Sequence, residues 1–298
     1  MSDPNVSSPT PTVTSTVTST VTSTVTGLER FDLLDLQPTG NATSFRLPVT
    51  RQLSTPFGFL YGGSGIAASA EASERVSDRP LQWITTQFLG SPGPGDVVDI
   101  EVHVAVEGRV TTQTQVSGSV DGRLVFTSLC AHNVRPAGDE ASFADMPTVP
   151  PPADCPEFAM PFDVAHDGSF FDHLERRMAR GVVAGDAIGR PQTPPIGIWA
   201  RLTAHPTGSA ATQGFIADMG PLVVCATLGI APGGTSLDNT IRVVDPRPSE
   251  WVLLEMTPDG FHRSVGHSTV RIWSEDGRLL GIAQQSAIIR TSHHDAQA

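Results

Sequence analysis

The chain has 298 residues, 39% hydrophobic and 17% charged, which is length and apolar content enough for two cores of ordinary size. Its formal net charge is −12 with no long basic run, which argues against a nucleic-acid partner while leaving room for a small anionic ligand held by a few arginines or a helix N-terminus. No run comes near the roughly 18 apolar residues of a membrane span, the start lacks the basic and apolar regions of a signal peptide, and Cys130, Cys155 and Cys225 are too widely spaced for a zinc site or disulfide framework, so a cytoplasmic protein is expected.

Residues 1–27 carry a V-T-S-T repeat without large side chains and read as a disordered, low-complexity tail. From Phe31 the composition turns globular. "FDLLDL" and "TSFRLPV" look like short strands around a Pro-Thr-Gly-Asn turn, and after "FGFLYGG" the alanine-rich segment 64–77 reads as a helix. Alternating runs at 83–89, 97–106 and 109–120 predict strands, and an Asp121-Gly122 turn leads into a fourth at 123–134. A proline-rich linker, 138–160, separates this first domain (28–137) from a second (161–292), with a short tail at 293–298. The second domain repeats the order: "FFDHLERRM" and "IGIWARLT", the apolar "FIADMGPLVVCATLG", then "NTIRVVD", "EWVLLEM", "SVGHSTVRIW" and a last strand after Asp276-Gly277.

The two endings, "DGRLVFTSLCAHNVR" from Asp121 and "DGRLLGIAQQSAIIR" from Asp276, match at five of fifteen positions and lie 155 residues apart. The same offset superposes Val97 on Val252, Val110 on Val265 and Thr114 on Thr269. One register held over some seventy residues marks a tandem duplication. Each unit is one helix with a run of antiparallel strands, so each sheet would wrap its own helix and the two would join edge to edge, an α+β architecture.

Several motifs invite other chemistry. "GSGIAA" at 63–68 fits a dinucleotide glycine pattern, but antiparallel-looking strands follow and residues 81–89 hold no acid. Residues 163–175, "DVAHDGSFFDHLE", gather acids and histidines at a spacing that fits no standard metal site and read as a surface turn. His262 and His267 would point to opposite faces of a strand. No cofactor or metal is expected.

The sequence resembles the TesB-like acyl-CoA thioesterases (acyl-CoA thioesterase II), proteins of the tandem, or double, hotdog fold. The resemblance covers roughly residues 28–290 and rests on "YGG", "TTQFLGSPGPG", "IADM", "SLDNTIRVVDPRPSEWVLLE", "GHSTVRIWSEDGRLL" and "AQQSAIIR" in that order. It implies hydrolysis of an acyl-CoA to free acid and CoA by a water held between an Asp, a Thr or Ser, and a Gln. Those roles fall on Asp218, Ser236 and Gln285, with serine where many relatives carry threonine. An N–H at the second helix would stabilise the developing oxyanion. Subtracting 155 gives Gly63, Leu81 and Cys130, which cannot hold a water, so the first half would be structural and the second catalytic. A helix cap is the plain alternative for Asp218, and strand polarity the alternative for Ser236 and Gln285. Gln284, on the opposite strand face, would replace Gln285 after a slip of one residue. A non-catalytic acyl-CoA-binding or scaffold protein is the alternative function, and association into a homo-oligomer is left open.

Overall fold

The computed structural model describes residues 30–136, 138, 141–158, 168–182 and 188–290; both tails and residues 163–167 of the 163–175 segment lie outside the described residues. The first half contributes β1 (Gln37–Pro38), β2 (Ser44–Pro48), α1 (Gly62–Ser77), β3 (Leu81–Phe88), β4 (Val97–Glu107), β5 (Thr111–Val120) and β6 (Arg123–Asn133). The second contributes β7 (Leu174–Arg180), β8 (Ile196–Leu202), α2 (Ala210–Ile216), α3 (Gly220–Leu228), β9 (Gly234–Val243), β10 (Val252–His262), β11 (Val265–Ser274) and β12 (Leu279–Ile289).

The strands form one sheet in the order β1-β2-β4-β5-β6-β3-β9-β12-β11-β10-β8-β7, with every pairing antiparallel. The order reads equivalently from either end, with β2 to β6 falling on β8 to β12 once 155 is added, so the sheet has a pseudo-twofold axis at the β3–β9 seam. Thr85 pairs with Thr240 there, and Thr240 Oγ1 donates to Thr85 Oγ1 at 2.8 Å. These two threonines are each other's repeat equivalents. β4 and β10 occupy ranges that differ by 155 at both ends. The tandem hotdog architecture is therefore the one observed.

Alternation explains which face each strand buries. In β4, Val98, Ile100 and Val102 point inward while Asp99, Glu101 and His103 face solvent. At the β5–β6 turn Asp121 and Gly122 both have positive φ, 49° and 76°, the twist a two-residue hairpin needs. The helices lie against the inner face, α1 on strands of the first half and α3 on β10, β11 and β12, with α1 and α2 packed together beside the axis.

Two expectations change. Asp32–Leu34 is a 3-10 turn, and Phe31 just before it and Leu34 at its end are buried in the core. The second helix is two. Pro221 has no N–H to give, and its ring would strike the carbonyl of residue 217, so the helix from Ala210 stops at Ile216 and restarts at Gly220. Residues 210–228 are as long and apolar as a membrane span, yet they are interrupted here and mostly buried within the protein. In the linker, residues 144–155 lie along the outer face of the second half. The Trp199 Nε1–H donates to the Pro150 carbonyl at 2.8 Å, and Ala144, Met146, Val149 and Cys155 pack with Trp199, Leu253 and Trp273.

Candidate active site

The helix break sets Asp218 between α2 and α3, buried to 8% exposure. It does not cap α3, whose N-cap is Met219 without a side-chain bond. Instead its Oδ1 accepts hydrogen bonds from the Gln285 amide and, at 3.2 Å, from Asn239 Nδ2. Gln285 also donates to Ser236 Oγ at 2.8 Å, and its Oε1 accepts the Gly220 N–H at 2.7 Å. The Gly220 bond fixes which way the amide faces, so one NH₂ group joins the carboxylate to the serine. The structure thus brings Asp218, Ser236 and Gln285 together. Gln284 is exposed and accepts from Arg242 Nη1 at 3.3 Å on the far face.

β9 delivers two groups that simple alternation would separate. Ser236 and Asn239 are three residues apart, but Ser286 pairs with Asp238 and Ala287 with Ser236, which leaves Leu237 as a bulge. The bulge turns Ser236 to the same side as Asn239, and Asn239 sits directly opposite Gln285.

Burial pushes the Asp218 carboxyl up to about 6, against the bonds from Gln285 and Asn239 and the Gly63 N–H, which favour the charge. Room for the carboxylate comes from Gly62 at the start of α1, where a Cβ would lie 2.5 Å from Asp218 Oδ2. A Cβ on Gly63 would lie 2.5 Å from the Phe215 carbonyl oxygen and 2.8 Å from Tyr61 Cζ. Tyr61, the chain's one tyrosine, holds the break: its hydroxyl is 3.0 Å from the Phe215 carbonyl and 3.1 Å from that of Asp218. The N–H expected at the second helix for an oxyanion is taken by Gln285, and Pro221 has none. The start of α1 is the helix end that faces the site.

Asp218 and Ser236 line a pocket of about 320 Å³ built from both halves, with Tyr61, Gly62 and Phe88 on one side and Phe170, Phe171, Arg176 and Leu222 on the other. The first-half equivalents, Gly63, Leu81 and Cys130, do not form such a hydrogen-bonded set. Cys130 is buried beside Ser73 and Thr114, and burial pushes its thiol up to about 12. Sequence reading missed Asn239, Tyr61, Gly220 and Arg176. "SLDN" contained Asn239, but only the bulge reveals its direction.

Gly220 gives a direct test of this arrangement. A Cβ there would overlap Gln285 Oε1 and lie 2.7 Å from Ser268 Oγ. Gly220→Ala should keep the fold, because the obstructed atom ends a flexible side chain, yet displace the amide that joins Asp218 to Ser236. A fall in kcat of about tenfold or more, with an unchanged circular dichroism spectrum, is the expected result. Full activity would show that the amide's position does not matter.

Two acyl-CoA thioesterase family domains match the chain, the N-terminal domain over residues 51–132 and the C-terminal domain over 152–289. No curated protein matches it. Among solved structures, a protein of Novosphingobium aromaticivorans provisionally described as a thioesterase is 27% identical, with 86% of this chain and 98% of that one covered and a TM-score of 0.74. A hot dog fold protein of unknown function from Alicyclobacillus acidocaldarius is 21% identical over 88% of this chain and 97% of its own, with a TM-score of 0.76. Acyl-CoA thioesterase II TesB2 of Mycobacterium marinum is 16% identical over 88% and 97%, with a TM-score of 0.67.

Proposed function

Because the chain belongs to the acyl-CoA thioesterase family and so hydrolyses acyl-CoA thioesters, we propose that Asp218, Ser236 and Gln285 carry that hydrolysis, with Asp218 as general base. The observation that carries the proposal is the Gln285 amide bonded at once to Asp218 and Ser236 beside the pocket. A water between the Asp218 carboxylate and the Ser236 hydroxyl loses its proton to Asp218 as its oxygen bonds to the thioester carbonyl carbon. Negative charge gathers on the carbonyl oxygen near the N-terminal end of α1, whose positive partial charge favours it. Collapse breaks the carbon–sulfur bond. The CoA sulfur leaves as thiolate and takes the proton back from Asp218, which gives free acid and CoA.

Both Gln285 N–H groups are committed to Asp218 and Ser236, so its role in this scheme is to position them. Ser236 needs only its hydroxyl, which suits serine in place of threonine, though the methyl that stiffens χ1 is gone. Three buried free thiols suit a reducing compartment, in keeping with a cytoplasmic location.

CoA release from acyl-CoAs of graded chain length, followed by chromatography across pH, tests the proposal. With the base titrating at about 6, kcat/KM should be level above that pH and fall about tenfold per unit below it. A profile flat down to pH 4 would remove Asp218 as base, and absence of release from every acyl-CoA would count against hydrolysis altogether.

A further inference from the structure

Arg176 lies on edge strand β7, where alternation turns it inward with Leu174 and Met178, both buried in the core. Its neighbours Glu175 and Arg177 turn outward and pair there with each other, and Glu175 also pairs with Arg201. No carboxylate of β7 therefore follows Arg176 inside. The guanidinium stands over the Phe171 ring at 4.2 Å and the Phe158 ring at 5.3 Å. Nε and Nη1 are sealed from solvent and have no hydrogen-bond partner among the described residues, although the side chain lines the pocket. Burial pulls the group down to about 10, which leaves it charged at neutral pH. Thr55, on the same pocket, has a buried hydroxyl likewise without a partner.

A buried cation with unused donors is costly unless something arrives to use them. Asp218 does not fill that role, since its carboxyl stands above its ordinary value and no arginine acts on it. Aromatic rings separate the two. Tyr61, bonded to the Asp218 backbone, stacks on Phe170 at 3.7 Å and 3°, Phe170 meets Phe171 at 4.1 Å, and Phe171 carries the guanidinium. The pocket has a general base in one part and a fork-shaped cation in another, with apolar walls along the way. We propose that Arg176 binds a carboxylate at the far end of the acyl group, so that the preferred substrates are CoA monothioesters of dicarboxylic acids. This rests on the thioesterase reading given above. A carboxylate suits these unpaired donors, because a charged guanidinium N–H makes a strong hydrogen bond to it. A CoA phosphate is the other anion the substrate carries, but it is bulkier and more strongly charged, and a niche walled by Phe158 and Phe171 suits it less.

The test compares kcat/KM for adipoyl-CoA and hexanoyl-CoA in the wild-type protein, Arg176→Gln and Arg176→Lys, each checked for its melting temperature. The wild type should favour adipoyl-CoA by about 10- to 100-fold, the range of a hydrogen-bonded charge pair. That ratio should collapse toward one in Arg176→Gln and be only partly kept in Arg176→Lys, which has the charge without the fork. The wild-type ratio stands as a test even where a variant fails to fold. Hydrolysis of hexanoyl-CoA with no preference for adipoyl-CoA would overturn the proposal and leave the thioesterase reading intact. An Arg176→Gln variant with KM raised equally for both would assign the arginine to a CoA phosphate and overturn it too. Failure to hydrolyse either thioester or any other acyl-CoA would end both readings.

Discussion

Asp218→Asn should lower kcat/KM by about 10²- to 10⁴-fold, the usual worth of general-base assistance, while raising the melting temperature at pH 8. The two effects share a cause. The folded protein holds this carboxyl at about 6, against an ordinary 3.8, so the charged form is penalised by roughly 3 kcal/mol above pH 6. That penalty fades as pH falls from 6 toward 3.8, where the folded protein binds a proton that the unfolded chain does not. An asparagine still accepts from Gln285 and Asn239 through its oxygen, loses the fit to the Gly63 N–H, and carries no charge. A net gain of about 1–2 kcal/mol at pH 8, or a few degrees in melting temperature, should shrink or reverse by pH 4. Activity that survives in the variant would move the base elsewhere. Lost activity with lowered stability at pH 8 would make Asp218 a structural residue.

The largest loss of stability is expected at Phe215, the residue before the end of α2. It is fully buried and makes edge-on contacts with Phe31 at 5.1 Å, Tyr61 at 5.4 Å and Phe170 at 6.2 Å. Those partners come from the N-terminal segment, the start of α1 and the segment before β7, so the ring joins both halves. Phe215→Ala removes the contacts and opens a cavity that three rings cannot all close, at a cost of about 3–5 kcal/mol. Chemical denaturation should show that fall. A loss under about 1 kcal/mol would mean that the cluster repacks freely. Phe215→Leu, which keeps most of the volume, should recover more than half of it.

The repeat was legible because its evidence is periodic. The offset of 155, the alternation in β4 and the shared Asp-Gly endings all survive in the observed sheet, and the self-paired threonines Thr85 and Thr240 are its physical expression. The order Asp218, Ser236, Gln285 came from family resemblance, and no spacing rule would have produced it. Pro221 was available as a sign of the break before α3, since a proline cannot sit in a helix interior without one. The bulge at Leu237 was not, because adding one residue to a strand leaves its composition unchanged. Arg176 was hidden for another reason. In "LERRM" it is one charge of three in a row, and only the pairing of β7 with β8 shows which one turns inward.

Gly62 and Gly63 also bear on the repeat. The offset of 155 makes one position of the first half the counterpart of Asp218. Here the counterpart is Gly63, and the space beside it belongs to the Phe215 carbonyl and the Tyr61 ring. Gly62 meanwhile leaves the volume that the Asp218 carboxylate fills. A side chain placed at position 63 would collide with the Tyr61 clamp that holds Asp218. The two copies are therefore not interchangeable: the first supplies the space and the clamp, and the second supplies the carboxylate that they hold.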